Sequence, residues 1–180
     1  MTKGVGWFDW PGHPGDRSLE QQSTGLDPLF AEVAGRAVLD VGCAEGLIAL
    51  RLADLGAAHV HGVDVIVRNV RDARSLQGSR AVTFEVEDAN KWAPPARHYD
   101  IVLLLAVLHK LRHPEARCAV LANAASSLCV VRIARAGLQF TDERSNNEPQ
   151  DIGTVMRGLG FRLERETAGP HDDPTYYFRR

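Results

Sequence analysis

Val38-Leu39-Asp40-Val41-Gly42-Cys43-Ala44-Glu45-Gly46-Leu47-Ile48-Ala49-Leu50 is the stretch on which the fold turns. Its first four residues are rich in branched apolar side chains and read as a buried strand. Gly42 and Gly46 then punctuate a turn, and a helix begins at about Leu47. Leu47, Leu50, Ala53 and Leu55 recur near helical spacing, and Gly56 sits where a C-terminal stop belongs. A second apolar segment, Ala58 to Val63, ends in Asp64. The order strand, glycine turn, helix, strand, acid places a nucleotide-like ligand over the ends of parallel strands. Glycines let the turn approach a ligand where a Cβ would collide, and the first N–H groups of the helix attract a carboxylate or phosphate. An acid ending the second strand can accept both hydroxyls of a ribose. An ordinary strand–turn–helix without a ligand is the competing reading.

A dinucleotide fingerprint requires G-x-G-x-x-G, whereas this turn reads Asp40-x-Gly42-x-Ala44-x-Gly46 and is led by an acid. It resembles the first motif of class I S-adenosylmethionine-dependent methyltransferases, D/E-x-G-x-G-x-G, with Ala44 at the middle glycine. The acid has a physical reason, because the methionine end of that cofactor carries an ammonium group where a dinucleotide carries pyrophosphate. The resemblance implies an α/β fold, a doubly wound, mostly parallel, seven-stranded Rossmann-like sheet that closes in a C-terminal antiparallel hairpin. It implies S-adenosylmethionine as cofactor and S-adenosylhomocysteine as product. Asp40 with Gly42, Cys43, Ala44 and Gly46 would hold the methionine end, and Asp64 with Val65 beside it the ribose.

The remaining strands carry further matches. Val82-Thr83-Phe84-Glu85-Val86 alternates like a strand and runs into Glu87-Asp88-Ala89-Asn90. In the resembling family an acid here accepts from the adenine amino group, a role that falls to Asp88 with Ala89 beside it. A turn or helix-cap role for Asp88 competes with this and is compatible with it. Tyr99 to Ala106 is the strongest buried-strand signal, a near-continuous apolar run that marks a central parallel strand. Leu105 and Ala106 at its end would wall the methyl group. Val107-Leu108-His109-Lys110-Leu111-Arg112-His113-Pro114 follows. It resembles the family's fourth motif in its V-L-H-H-L form, with Lys110 at the second histidine, and is locally similar to the tRNA wobble-uridine carboxymethyltransferases. His109 is the candidate base for a hydroxyl acceptor, since an ordinary histidine pKa suits neutral pH; a helix-start histidine is the alternative.

Helices are expected over Val65–Leu76, Glu115–Ala125 and Ile152–Leu159, a fifth strand over Ser127–Ile133, and a polar loop over Gly137–Gln150. Two closing strands, Phe161–Arg165 and Thr175–Arg179, flank a turn at Gly169-Pro170. Arg68, Arg71 and Arg74 read as a solvated helix face, with phosphate contact as the sharper reading.

A chain of 180 residues, 44% hydrophobic and 24% charged, suits one globular domain. Its formal charge of −2 exerts no global pull on nucleic acid or anionic membranes. No apolar run approaches the roughly 20 residues needed to span a bilayer. Met1–Gly6 lacks the apolar core of a secretory leader, and three cysteines form no C-x-x-C pair, so the cytoplasm is the expected compartment. Residues 1–35 divide from a catalytic domain at 36–180. Residues 1–17 form an aromatic, turn-rich arm in which Trp7, Phe8 and Trp10 need a surface to cover. The arm is either a lid, with His13, Asp16 or Arg17 at the substrate, or a packing anchor. Ser18 reads as an N-cap with Gln21 completing a capping box, and Gly25 and Pro28 split the helix that follows.

No metal site is expected. His59 and His61 point the same way on a strand, but no third ligand stands nearby. A methyl acceptor of small-molecule type, with a hydroxyl, carboxyl or other nucleophile, is the leading expectation, and RNA is the alternative. A cofactor-binding partner protein that does no chemistry and a nicotinamide-dependent oxidoreductase are rivals from other classes; Asp40 and the missing G-x-G-x-x-G oppose the latter. Oligomeric state is not encoded in any recognisable motif.

Overall fold

In the computed structural model, strand β3 (Ala37–Val41) sits in the middle of the sheet and sends alternate side chains to opposite faces. Val38 enters one core layer and Leu39 the other. The same alternation recurs in β6 (Tyr99–Leu105), where Ile101 and Leu103 face one layer and Val102 and Leu104 the second. In β7 (Ala125–Arg132), Leu128 and Val130 oppose Cys129 and Val131. A strand covered on both faces must be apolar on both, which is why these runs are nearly continuous.

The structure describes residues 6–9, 15–134 and 151–180, with side chains from residue 15 onward apart from Asp16. Strands β4 (His59–Asp64), β5 (Val82–Val86), β8 (Arg162–Ala168) and β9 (Pro174–Arg179) complete a seven-stranded sheet in the order β5-β4-β3-β6-β7-β9-β8. Pairing is parallel from β5 through β7, and β9 runs antiparallel to both β7 and β8. Helices α3 (Leu47–Asp54) and α4 (Val67–Leu76) cover one face. Helices α5 (Pro114–Ala122) and α6 (Ile152–Gly158) cover the other. This is the doubly wound arrangement with its closing hairpin, as expected.

Boundaries moved where hydrogen bonding outweighed pattern. Helix α4 starts at Val67 rather than Val65 because the Asp64 carboxylate accepts the Ile66 N–H at 2.8 Å, which holds an Asx turn ahead of the helix. Strand β6 stops at Leu105 because Ala106 adopts φ 53°, outside the extended region. The loop expected over 137–150 lies outside the described residues, as do Trp10 and His13 of the arm.

Ahead of the sheet, β1 (Gly6–Asp9) and β2 (Gly15–Ser18) pair in parallel, and α1 (Leu19–Ser23) and α2 (Asp27–Glu32) follow. The Ser18 hydroxyl accepts the Gln21 N–H while the Gln21 side chain accepts the Ser18 N–H, the reciprocal cap read from sequence. Leu26, Leu29 and Val33 are fully buried in the same core as the sheet. A buried strut fixes this segment: Arg132 donates to the carbonyls of Gln22 (3.0 Å) and Thr24 (2.6 Å) and to the Thr175 hydroxyl (2.9 Å). Burial pushes its pKa down to about 10, still far above neutrality, so the strut stays charged. The Tyr177 hydroxyl donates to the Gly25 carbonyl at 2.6 Å and closes the same joint.

Candidate cofactor and acceptor site

The turn after β3 is left-handed at every second residue: Gly42 at φ 76°, Ala44 at 49° and Gly46 at 81°. The N–H groups of Gly42 and Cys43 both donate to the Val63 carbonyl, at 2.8 and 3.0 Å, which bolts the turn to the end of β4. Ala44 N–H donates to the Asp64 carboxylate at 3.0 Å. The glycines also answer to their protein neighbours. A Cβ on Gly42 would stand 2.9 Å from a Val107 methyl, and one on Gly46 would stand 2.6 Å from the Phe84 ring. Both make room for neighbouring side chains, and Gly42 also lines the cavity at the strand ends. Ala44 holds its left-handed conformation despite a Cβ, as does Ala106 at the end of β6. Such strain concentrates where a loop is held for a ligand.

A cavity opens at the carboxyl ends of β3, β4, β5 and β6. Every residue expected at the cofactor lines it except Gly46. Asp40 is its buried floor, only 3% exposed, and burial followed by the nearby Asp64 charge pushes its carboxyl up to about 7. Asp64 stands at the next strand end, and Glu87 and Asp88 at the third. Asp88 accepts the backbone N–H of Asn90 at 2.9 Å and its side-chain amide at 3.2 Å. These bonds, the backbone one first, hold the Asp88 carboxyl below its ordinary range. Its turn role is therefore realised alongside its place in the cavity wall. Ile48, Val63, Val65 and Leu105 add apolar surface. Burial pushes the Cys43 thiol well above its usual range, which makes it a small packing group and not a nucleophile.

Lys110, and not the candidate base His109, lines the cavity. The segment Leu108–Lys110 is a single 3-10 turn, in which residues three apart share a side. Val107 and Lys110 therefore face the cavity together, with Leu111 beside them. His109 is buried, does not line the cavity, and is pushed down to about 4 by burial and then by the Lys110 charge. The ordinary histidine pKa expected of it does not survive that burial.

Further wall residues were not assigned to the site from sequence, among them Gln22, Asn69 and Lys110. Asn69 carried a usable signal, being a polar residue on the buried face of α4 beside Val70 and Ala73. Arg17 of the arm does reach the cavity. The arginines of α4 are engaged locally: Arg68 and Arg71 pair with Asp72, and Arg74 donates to the Phe84 carbonyl at 2.9 Å. His59 meets Thr83 and His61 meets Glu85 on the neighbouring strand β5, and His61 also meets Tyr99 at the start of β6. Among the described residues no cluster of three or more His, Cys, Asp or Glu is arranged to hold a metal, and no helix is long and apolar enough to cross a membrane.

The donor set fits a cationic nucleoside cofactor: carboxylates where an ammonium and ribose hydroxyls would lie, apolar walls where a base would stack. Residues 38–129 match the family model described as methyltransferase domain. Over 90 residues the chain is 37% identical to a ubiquinone biosynthesis O-methyltransferase of Paraburkholderia phytofirmans, covering 48% of this chain and 38% of that protein. A protein of the same name from Cupriavidus pinatubonensis is 33% identical over 146 residues, 79% of this chain and 55% of that one. The chain thus spans only part of the length of these relatives. Among solved structures, magnesium protoporphyrin IX methyltransferase from Synechocystis with bound S-adenosylhomocysteine superposes with a TM-score of 0.70 at 23% identity, over 89% of this chain and 83% of that one. With more than half its length in the family model and the sheet, turn and strand-end acids of that fold in place, the chain belongs to the class I S-adenosylmethionine-dependent methyltransferase family.

Proposed function

We propose that this chain transfers a methyl group from S-adenosylmethionine to an oxygen of a small-molecule acceptor held in the cavity at the ends of β3 to β6. The observation that carries the reading is the file of acids, Asp40, Asp64 and Asp88, one at or just beyond the end of each of three adjacent strands and all in one cavity wall. When bound, the cofactor supplies an electrophilic methyl on a sulfonium. Asp40, ionised, receives the ammonium group; Asp64 accepts ribose hydroxyls with the lone pairs left after Ala44 and Ile66; Asp88 and Ala89 flank the adenine. Leu105 and Ala106 wall the methyl, and Val107, Lys110 and Leu111 face the acceptor. Holding acceptor and methyl in line away from water supplies most of the acceleration. Arg17 and Gln22 close this end, consistent with a lid role for the N-terminal segment and with an acceptor of modest size. The O-methyltransferase names of the sequence relatives support an oxygen acceptor.

Titration calorimetry with S-adenosylhomocysteine, with NADH as control, tests the cofactor assignment. Tight binding of the first and none of the second is expected; the reverse would point to the oxidoreductase reading. Incubation of lysate with methyl-labelled cofactor then tests the acceptor class, with label expected in the small-molecule extract and not in RNA. Tight cofactor binding without label in any fraction would favour a partner protein that performs no chemistry.

A further inference from the structure

The cavity wall carries charges of both signs. Asp40, Asp64, Glu87 and Asp88 follow the ends of β3, β4 and β5, whereas the two cations, Arg17 and Lys110, come from β2 and from the 3-10 turn after β6. Burial lowers the pKa of Lys110, with the Asp64 charge opposing that shift and the Arg17 charge adding to it, so Lys110 stands within reach of both. Two cations on one cavity wall attract an anion, and a cationic cofactor is suited to the strand-end acids. A second observation concerns bases. Among the described residues, those that line the cavity beyond the end of β6, namely Ala106, Val107, Lys110 and Leu111, include no histidine, carboxylate or tyrosine. A hydroxyl acceptor must lose a proton as it is methylated; a carboxylate has none to lose.

We propose that the methyl acceptor is a carboxylate, drawn in by Lys110 and Arg17, with one oxygen on the cations and the other aimed at the methyl. This rests on the methyl-transfer reading of the same cavity. The second oxygen forms the new C–O bond as the C–S bond breaks with its electron pair kept on sulfur. Sulfonium and carboxylate charges cancel, an ester and a thioether result, and no proton moves. The role of Lys110 is then electrostatic, so a permanent cation can replace it.

The test uses the full chain saturated with S-adenosylhomocysteine and titrated with benzoate, with benzamide as the neutral isostere. Benzoate is expected to bind at least tenfold more tightly than benzamide. Lys110→Met should weaken benzoate at least tenfold and Lys110→Arg by no more than a few-fold, while S-adenosylhomocysteine affinity in both stays within a few-fold of the parent. The proposal is overturned if benzamide binds as well as benzoate, or if Lys110→Met leaves benzoate binding unchanged. It is equally overturned if that variant loses S-adenosylhomocysteine while keeping benzoate, since Lys110 would then serve the cofactor's own carboxylate. Failure of the parent to bind S-adenosylhomocysteine would remove the methyl-transfer reading alone, because the benzoate and benzamide comparison on the unliganded protein still reports the anion site.

Discussion

The Asp64 carboxylate accepts the backbone N–H of Ala44 at 3.0 Å with one oxygen and that of Ile66 at 2.8 Å with the other. One side chain at the end of β4 thereby ties together the turn after β3 and the start of α4, and both segments line the cavity. The residue that the motif assigns to the ribose is also a clasp of the fold itself.

Asp64→Ala should therefore lose stability and cofactor affinity together. Hydrogen bonds to an ionised acceptor contribute roughly 1.5–3 kcal/mol each way, so urea denaturation should show a loss of about that size even without ligand. Calorimetry should show weaker S-adenosylhomocysteine binding by at least tenfold. A variant that binds normally but unfolds earlier would leave Asp64 as a clasp only.

Asp40 should make cofactor affinity and stability depend on pH in opposite senses. Its carboxyl holds a proton up to about 7 in the folded chain and only to about 3.8 when unfolded. Between those values the folded state binds more protons, so the Asp40 contribution to stability falls as pH rises and is least favourable above about 7. His109 acts the other way: folded it stays neutral down to about 4, unfolded it protonates near 6.5, so its contribution falls as pH drops through that interval. The two slopes oppose each other between about 4 and 6.5. Asp40→Asn removes one of them. Its melting temperature at pH 8 should exceed that of the parent and should drop more steeply on acidification below pH 6.5. S-adenosylhomocysteine affinity should rise with pH through about 7 in the parent and be weak at every pH in Asp40→Asn.

Gly46→Ala should be costly for a reason unrelated to the ligand. Its Cβ would lie 2.6 Å from the Phe84 ring, on a residue with φ 81°. Overpacking costs about 1–3 kcal/mol and the left-handed backbone about 1–2 kcal/mol more for an alanine. Trimming the ring in Gly46→Ala/Phe84→Leu should recover part of the first loss and none of the second. Ala44→Gly, at φ 49°, should be neutral or stabilising by up to about 1 kcal/mol, since strain relief is partly offset by the freer unfolded chain. Denaturation midpoints of the four proteins check all of this.

His109→Ala should lower turnover by a few-fold at most and leave the pH–rate profile without a lost limb near 6.5, because the ring is buried outside the cavity wall and titrates near 4. A drop of about 10²-fold with cofactor affinity intact is what a general base would show, and that result would restore the catalytic role suggested by the Leu108-His109-Lys110 run.

Much of the architecture was legible because burial on both faces leaves its mark in one dimension. The apolar-rich segments at Val38–Val41 and Ile101–Leu104 match central strands covered on both faces, and Asp40 and Asp64, near the ends of β3 and β4, fall at the cavity as the geometry of parallel strands requires. The capping box at Ser18 and the break between Ser23 and Asp27 were likewise local, decided within a few residues. What depended on distant partners was not readable. Gly46 needs its hydrogen because of Phe84, thirty-eight positions away on β5. Lys110 rather than His109 faces the cavity because one turn of 3-10 helix sets which of two adjacent side chains looks outward, and a shift of one residue in that turn would exchange them. Gln22 meets the same wall with its carbonyl held by Arg132 on β7, 110 positions away in the chain. Period and motif determined which residues lie at strand ends; which of them touch a ligand was decided by long-range packing, where burial sets both orientation and charge.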